Sequence, residues 1–253
     1  DYNPVAIAYA VIGKSDAHVF IHKEKPSSAV KTQWTNNKIK VHDYGYIIRF
    51  LNELSENSSI LVDPAICSQT LYEAINARII NGTSIPKTLK AIKNETEIKH
   101  LRSVMKKDGA ALAATFYWME QILANKEFID EVSVAKKLAE NRSQQKYYHG
   151  ESFGAIIGYK DNGAVIHYHP EPDTCKTIHP DGILLVDSGG QYCDGTTDIT
   201  RTFALSAPTD EQKKAYTLIL KGMISLSRAK FPEGTTGAQL DTLARQFLWA
   251  EGM

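Results

Sequence analysis

The chain has 253 residues, of which 43% are hydrophobic and 23% charged, the composition of an ordinary globular protein with one large or two modest domains. Its 29 basic and 29 acidic residues cancel, so no charge excess favours a nucleic acid or an anionic membrane as a partner. No apolar run approaches the length that spans a bilayer.

Residues 1–88 are predicted to form a small α/β domain. Apolar runs at 5–12 and 17–21 flank a turn-forming tetrapeptide and predict a β-hairpin. Helical spacing of apolar residues predicts helices over 43–54 and 65–79, and the short run 59–62 predicts a buried strand between them. Alternating elements of this kind indicate a mixed sheet flanked by helices.

Residues 89–253 are predicted to form a second domain, which opens with two helices. Asn94 and Glu97 have the spacing of an N-cap residue and its N3 partner, so a long helix is expected to begin there and to continue to Leu123. A second helix is predicted over 133–145.

Strands follow these helices. They are predicted over 152–159 and 164–168, joined by the turn sequence Asp161-Asn-Gly163, and then on both sides of a glycine-rich segment. Two further capping pairs predict helices over 209–228 and 236–250. The order helix, helix, hairpin, hairpin, helix, helix indicates an antiparallel sheet with helices on one face, so the fold class is α+β.

Two aspartates bracket the glycine-rich segment. Asp187 ends the apolar run 183–186, and Asp198 opens a second strand-like run. Gly189, Gly190 and Gly195 permit a tight reversal between them, which predicts a hairpin that brings both carboxylates to one place. Two neighbouring carboxylates repel each other unless a proton or a cation lies between them, and such hard oxygen ligands suit Mn²⁺, Co²⁺ or Zn²⁺.

Structural roles for the same residues remain open. Asp187 and Asp198 are also good turn formers. Arg201 is a candidate salt-bridge partner for a carboxylate buried on a strand. Cys193 lies in the same segment, and we interpret it as a small turn residue rather than as a metal ligand. Together with Cys67 and Cys175 it makes an odd, scattered set, which is typical of reduced thiols in a cytoplasmic protein.

His167 is the candidate catalytic side chain. Alternation places His167 and His169 on one face of the predicted strand, although Pro170 indicates that His169 lies at the strand end. Near neutral pH, His167 is suited to polarising a carbonyl or stabilising an oxyanion. The alternatives are an ordinary hydrogen-bonded histidine and a mononuclear metal site shared with His169. Glu171 and Asp173 are interpreted as loop acids.

A resemblance rests on these motifs. Residues 187–202, DSGGQYCDGTTDITRT, together with NGAVIHY at 162–168, resemble the Xaa-Pro aminopeptidases (aminopeptidase P), which are pita-bread metallopeptidases, and most closely their long, three-domain form. The resemblance implies that residues 1–88 are the second creatinase-like N-terminal domain and that 89–253 are the first half of the catalytic domain. The chain opens at Asp1 without an initiator Met, so we expect a piece of a longer protein.

The resemblance also implies an activity and a ligand set. The family releases the N-terminal residue from peptides with proline second, using two divalent ions, usually Mn²⁺, held by two Asp, one His and two Glu. By position, Asp187 corresponds to the aspartate that chelates one ion, Asp198 to the one that bridges both, and His167 to the substrate-binding histidine. A metal-bridging water is expected to attack the peptide carbonyl.

The remaining ligands mark what the chain lacks. The family's metal His and both Glu are expected beyond Met253, so these 253 residues alone should be inactive and bind metal weakly. A homodimeric parent is expected. Two other functions stay open: a prolidase-type Xaa-Pro dipeptidase, and a catalytically dead pita-bread module that binds peptides or partners. Methionine aminopeptidase lacks an N-terminal domain like 1–88, and creatinase works without metal.

Overall fold

The chain forms two compact units in the computed structural model, which describes residues 2–253. One unit comprises residues 3–102 and the other residues 103–253 together with Tyr2. The division falls inside the long helix α5 (Glu95–Ala124), whereas the sequence places a boundary at residue 88, before that helix begins; this boundary stays a prediction. Among residues 2–253, no helix has both the length and the apolarity needed to cross a membrane.

The first unit contains two small sheets. One has the order β1-β2-β3, with β1 and β2 antiparallel and β2 and β3 parallel, and the other pairs β4 with β5 in parallel. Its elements are β1 (Ala8–Ile12), β2 (Ala17–Ile21), α1 (Ser28–Asn36), β3 (Ile39–His42), α2 (Ile47–Asn52), β4 (Ser59–Val62), α3 (Gln69–Glu73), β5 (Arg78–Asn81) and α4 (Ile85–Ala91).

Several predictions for this unit are confirmed and one is wrong in part. The hairpin of β1 and β2 is present, and its turn is closed by a 2.8 Å hydrogen bond from the Gly13 amide to the Asp16 carbonyl. The helix expected over 65–79 is reduced to α3, because residues 78–81 pair in parallel with β4 as strand β5. Short apolar runs fit either period, so partner strands decide between them. Helix α1 and strand β3 have no counterpart among the predicted elements.

The second unit contains two three-stranded antiparallel sheets and the larger helices. The sheet orders are β10-β9-β6 and β11-β8-β7. Besides α5 from residue 103 onward, its elements are α6 (Glu131–Ser143), β6 (Tyr148–Glu151), β7 (Ile156–Tyr159), β8 (Ile183–Ser188), β9 (Gly190–Tyr192), β10 (Gly195–Thr196), β11 (Ile199–Ala204), α7 (Asp210–Ser227) and α8 (Gly237–Trp249).

The core of this unit lies on one face of the β11-β8-β7 sheet. Along β8, buried Leu184 and Val186 alternate with half-buried Ile183 and Leu185. The buried set packs with apolar side chains of helices α5 and α6, namely Leu112, Met119, Val134 and Leu138. The expected arrangement, an antiparallel sheet covered by helices on one face, is therefore confirmed as α+β.

The prediction of a hairpin around Asp161-Asn-Gly163 is wrong. Residues 160–164 form a short 3₁₀ helix, and no strand is described over 164–168. Val165 and Ile166 are 55% and 87% exposed, so this apolar pair does not join a sheet. The turn instead folds back on β7: a Cβ on Gly158 would lie 2.6 Å from the Cα of Gly163, a distance that only glycine tolerates.

Candidate metal centre

Asp187 lies on the face of β8 that points away from the helices. It pairs with Thr200 of β11 on one side and with Ile156 of β7 on the other. Since successive side chains of a strand alternate, Asp187 shares its face with Leu185, opposite to the buried face of Leu184. The carboxylate therefore projects from the centre of a three-stranded sheet.

One oxygen of Asp187 has no partner. Its Oδ1 is buried and has no hydrogen-bond partner. Among the buried side-chain oxygen and nitrogen atoms of residues 2–253, it alone lacks one. A buried polar atom without a partner is rare in folded proteins, and leaving one bare costs about 1–3 kcal/mol. A cation that binds this oxygen would remove that cost, so the observation fits a metal ligand better than a turn former.

Asp198 directly precedes the neighbouring strand β11. The β8–β11 register pairs Ile199 with Ser188 and Thr200 with Asp187. Continuing the alternation of β11 by one residue puts Asp198 on the face of Thr200, diagonal to Asp187. Diagonal residues of an antiparallel pair lie about 7–8 Å apart, within the reach of two carboxylates that share a metal cluster. The side chain of Asp198 is exposed, so a ligand has access to it.

The backbone between the two aspartates is tightly held. The buried side chain of Thr197 accepts a 2.8 Å hydrogen bond from the Gly190 amide, and the Ser152 hydroxyl donates to the Thr197 carbonyl at 2.8 Å. A Cβ on Gly189 would lie 1.9 Å from that same carbonyl oxygen, so only glycine permits the approach. These contacts fix the ends of both strands, and with them the two carboxylates.

Arg201 is not the partner of either aspartate. Its Nη1 donates to the carbonyl of its neighbour Thr200 at 2.7 Å, and no ion pair of the described residues involves it. It is paired with Val186, so alternation points its side chain away from the face of Asp187. The salt-bridge alternative is therefore wrong.

His167 is exposed and occupies a turn rather than a strand. Its φ of +57° lies in the left-handed region, which few non-glycine residues adopt. The expectation that His167 and His169 share a strand face is wrong, because residues 160–164 form a 3₁₀ helix and no strand follows. No hydrogen bond of the described residues joins His167 to Asp187 or Asp198, so its role stays a prediction.

The two carboxylates are the right type of ligand for a divalent cation, but two ligands are too few to hold it. Carboxylate oxygens are the ligands that such hard ions prefer, and Asp187 offers one that is otherwise unpaired. Nowhere in residues 2–253 do three or more His, Cys, Asp or Glu side chains gather in a group that could hold a metal. Two aspartates leave most of a coordination shell to water or to other ligands.

Comparison with known proteins identifies the family. The model of metallopeptidase family M24 matches residues 99–253, more than half of the chain, and the creatinase/prolidase N-terminal domain model matches residues 1–97. The chain belongs to metallopeptidase family M24. The expected creatinase-like N-terminal domain and partial pita-bread domain are thereby confirmed.

Curated relatives of this M24 chain include probable Xaa-Pro aminopeptidases P. A probable Xaa-Pro aminopeptidase P of Sclerotinia sclerotiorum is 42% identical over 263 residues, which cover 100% of the chain and 44% of the relative. One of Paracoccidioides brasiliensis is 42% identical over 267 residues, covering 100% and 43%. The chain thus spans less than half the length of the relatives it matches.

Two solved structures have folds similar to that of the chain. X-prolyl aminopeptidase from Caenorhabditis elegans, a cytosolic enzyme with a di-nuclear active site, superposes with a TM-score of 0.91 at 33% identity, covering 100% of the M24 chain and 42% of that protein. The Xaa-Pro dipeptidase from Bacillus anthracis superposes at 0.76 with 21% identity over 99% of the chain and 69% of its own, a likeness of fold alone.

A buried ionic network behind the aspartate pair was not predicted. Arg142 of α6 is fully buried and donates to both oxygens of Asp108 at 2.8 and 3.1 Å, to Glu151 at 2.6 Å and to the Ser188 hydroxyl at 3.0 Å. Burial alone would lower the pKa of Arg142, but hydrogen bonds and charges of Asp108 and Glu151 raise it. Ser188 directly follows Asp187, so the network fixes the end of β8 from the helix side.

The other candidate residues of the M24 region lie in turns. Cys193 occupies the turn between β9 and β10, as interpreted, and is exposed with its Sγ 2.9 Å from His149 Nε2. Glu171 and Asp173 lie in an exposed loop, as interpreted. The thiols of all three cysteines are free.

Proposed function

We propose that the chain is part of a protein of its relatives' length that acts as a metal-dependent Xaa-Pro aminopeptidase, in which Asp187 and Asp198 hold two divalent metal ions. The observation that carries the proposal is the buried, unpaired Oδ1 of Asp187 on the sheet face it shares with Asp198. The curated relatives, and the C. elegans enzyme with its di-nuclear site, support the same activity.

Each residue has a defined task in this proposal. Asp187 and Asp198 would hold the two divalent ions through their carboxylate oxygens. When bound, the two ions supply an acidified water near neutral pH as the nucleophile. Thr197 and Gly189 keep the two strand ends together, and the exposed ring of His167 donates a hydrogen bond to the carbonyl oxygen of the peptide bond that is cut.

The substrate is proposed to be a peptide with proline at its second position. Proline has no backbone N–H, so the site must accept a tertiary amide at the bond that it cuts. We further propose Mn²⁺ as the native metal, a homodimer as the assembly and the cytoplasm as the location. The free cysteines and the cytosolic location of the C. elegans enzyme support the last of these.

The test compares metal content and turnover of the full-length protein with those of Asp187→Asn and Asp198→Asn. Even partners outside the first coordination shell are worth about 10–100-fold, so each change is expected to lower turnover by roughly a hundredfold or more. Metal analysis should show fewer than two ions per chain. Asp173→Asn, a change in an exposed loop acid, is the matched control and should leave both quantities unchanged.

The substrates in the assay separate the alternatives. An aminopeptidase cleaves a tripeptide with proline second, whereas a dipeptidase cleaves only the Xaa-Pro dipeptide. A full-length protein that binds no metal and cleaves neither would be a binding module and would overturn the proposal. The 253 residues alone are expected to show no turnover, because two aspartates do not complete a coordination shell.

A further inference from the structure

Glu131 is a buried carboxylate to which the proposed mechanism assigns no role. It is the first residue of α6, its side chain is fully buried, and no ion pair of the described residues includes it. A buried charge without a cation is costly unless hydrogen bonds to the charged form replace water. Such an arrangement therefore needs an explanation in the donors that surround it.

Five hydrogen bonds converge on this one carboxylate. Oε1 accepts from the amide of Tyr159 at 2.7 Å and from Asn162 Nδ2 at 3.0 Å. Oε2 accepts from Asn162 Nδ2 at 3.0 Å, from the hydroxyl of Tyr168 at 2.8 Å and from the amide of Lys176 at 2.9 Å. These donors lie 28, 31, 37 and 45 residues away in sequence, so the carboxylate joins separate segments of the chain.

Helix capping does not account for Glu131. The N-cap of α6 is Asp130, whose side chain accepts from the Ser133 amide at 2.7 Å, while the Ser133 hydroxyl accepts from the Asp130 amide at 2.9 Å. The capping box is thus complete without Glu131, whose side chain points to the loops beyond the helix.

Two of the donors flank His167 in the chain. Asn162 lies in the 3₁₀ helix before it, Tyr168 follows it directly, and Asn162 Nδ2 also lies 3.0 Å from the Tyr168 hydroxyl. Burial, together with the hydrogen bond to Glu131, raises the pKa of Tyr168, so its hydroxyl remains a donor at neutral pH. Between these two anchors, residues 165–167 are exposed, and His167 has its left-handed φ of +57°.

We propose that Glu131 is a positioning residue that fixes the turn carrying His167 by holding Asn162 and Tyr168 on either side of it. The inference rests on the proposed function, because it assumes that His167 contacts the substrate. A strained conformation persists only when its surroundings determine it, and the convergent bonds of Glu131 meet that requirement. The ring of His167 can therefore be exposed to solvent while the backbone of its turn stays ordered.

The charge of Glu131 matters as much as its shape. Each of its oxygens faces at least two donors, so a glutamine amide would present N–H₂ to donors in either orientation. Glu131→Gln therefore loosens the turn with almost no change in side-chain volume. Tyr168→Phe removes one of the five bonds and leaves the carboxylate in place.

The experiment is a double-mutant cycle in the full-length, Mn²⁺-loaded protein with a proline-second tripeptide. Glu131→Gln is expected to lower kcat/KM by about tenfold, the effect of misplacing one catalytic hydrogen bond. In a His167→Ala background the same change should have less than roughly a twofold effect, because the group it positions is absent. Glu140→Gln, on an exposed part of the same helix, is the control and should match the wild type.

Two results would overturn the inference: an unchanged kcat/KM for Glu131→Gln, or an equal loss in the presence and absence of His167, which would show a general structural effect. If Glu131→Gln is insoluble, Tyr168→Phe decides the question through the same cycle. Hydrogen exchange provides a readout besides activity: the amides of 163–168 should exchange faster in the variant while those of β8 do not. A wild type without turnover would refute the proposed function and leave this exchange test intact.

Discussion

Replacing Arg142 by methionine should be among the most destabilising changes in the M24 region. The guanidinium is fully buried and donates to Asp108, Glu151 and Ser188. Methionine fills a similar volume with apolar atoms but supplies no donor and no charge. Asp108, also fully buried, would keep a single hydrogen bond, from the hydroxyl of Tyr192 at 2.9 Å.

The magnitude follows from the carboxylates left behind. Breaking a buried ion pair by removing one partner costs about 3–5 kcal/mol, because the other charge stays buried without compensation. Glu151 adds less than Asp108, since its side chain is 16% exposed and it keeps a 2.8 Å hydrogen bond from Tyr148. We therefore expect a loss of about 3–5 kcal/mol, a large share of a typical stability of about 5–15 kcal/mol.

Urea denaturation followed by tryptophan fluorescence measures this loss. Arg142→Lys is expected to fall between the wild type and Arg142→Met, since an ammonium keeps the charge but cannot make the planar, two-pronged contact with Asp108. Adding Asp108→Asn to Arg142→Met should restore part of the stability, because a neutral amide needs no cation. A loss below about 1 kcal/mol, or additive losses in the double variant, would refute the reasoning.

Three further predictions concern single side chains. Burial, with the charges of His18 and Lys40, lowers the pKa of His42 from its usual value of 6.5. On acidification the unfolded state therefore binds the proton first, and the stability of the folded state falls as pH drops below about 6.5. NMR titration of the His42 ring should give a midpoint below that value. Cys193, exposed and 2.9 Å from His149, should react with an aromatic disulfide faster than the other two cysteines, and His149→Ala should abolish the difference. Gly189→Ala should lower the melting temperature, since its Cβ would lie 1.9 Å from a carbonyl oxygen; an unchanged melt would contradict this.

Local signals in the sequence were sufficient to place the starts of three helices. Asn94 and Glu97 exchange hydrogen bonds of 2.8 and 2.9 Å, as their spacing predicts. Thr209 and Thr236 each form a complete capping box with the glutamine three residues later. Capping depends on residues a few positions apart, so it can be predicted from the sequence without knowledge of the fold.

The turn that carries His167 could not be predicted from local sequence signals. Asp161-Asn-Gly163 has the composition of a tight hairpin, and the apolar residues after it suggest a strand. The chain forms a 3₁₀ helix there instead, and the side-chain amide of Asn162 donates to Glu131, which lies 31 residues earlier at the buried start of α6. A contact over that separation leaves no periodic pattern in the sequence, so only the folded chain reveals it.

The aspartate pair falls between these two cases. Alternation and turn composition place Asp187 and Asp198 near each other, but they do not distinguish a metal pair from a shaped bend. The structure weighs against the bend, because a turn-forming carboxylate accepts local N–H bonds, whereas Oδ1 of Asp187 is buried and accepts none from the described residues. Helices α5 and α6 cover the opposite face of β8, so any cation, and every further ligand that holds it, must reach Asp187 from the side of Thr200.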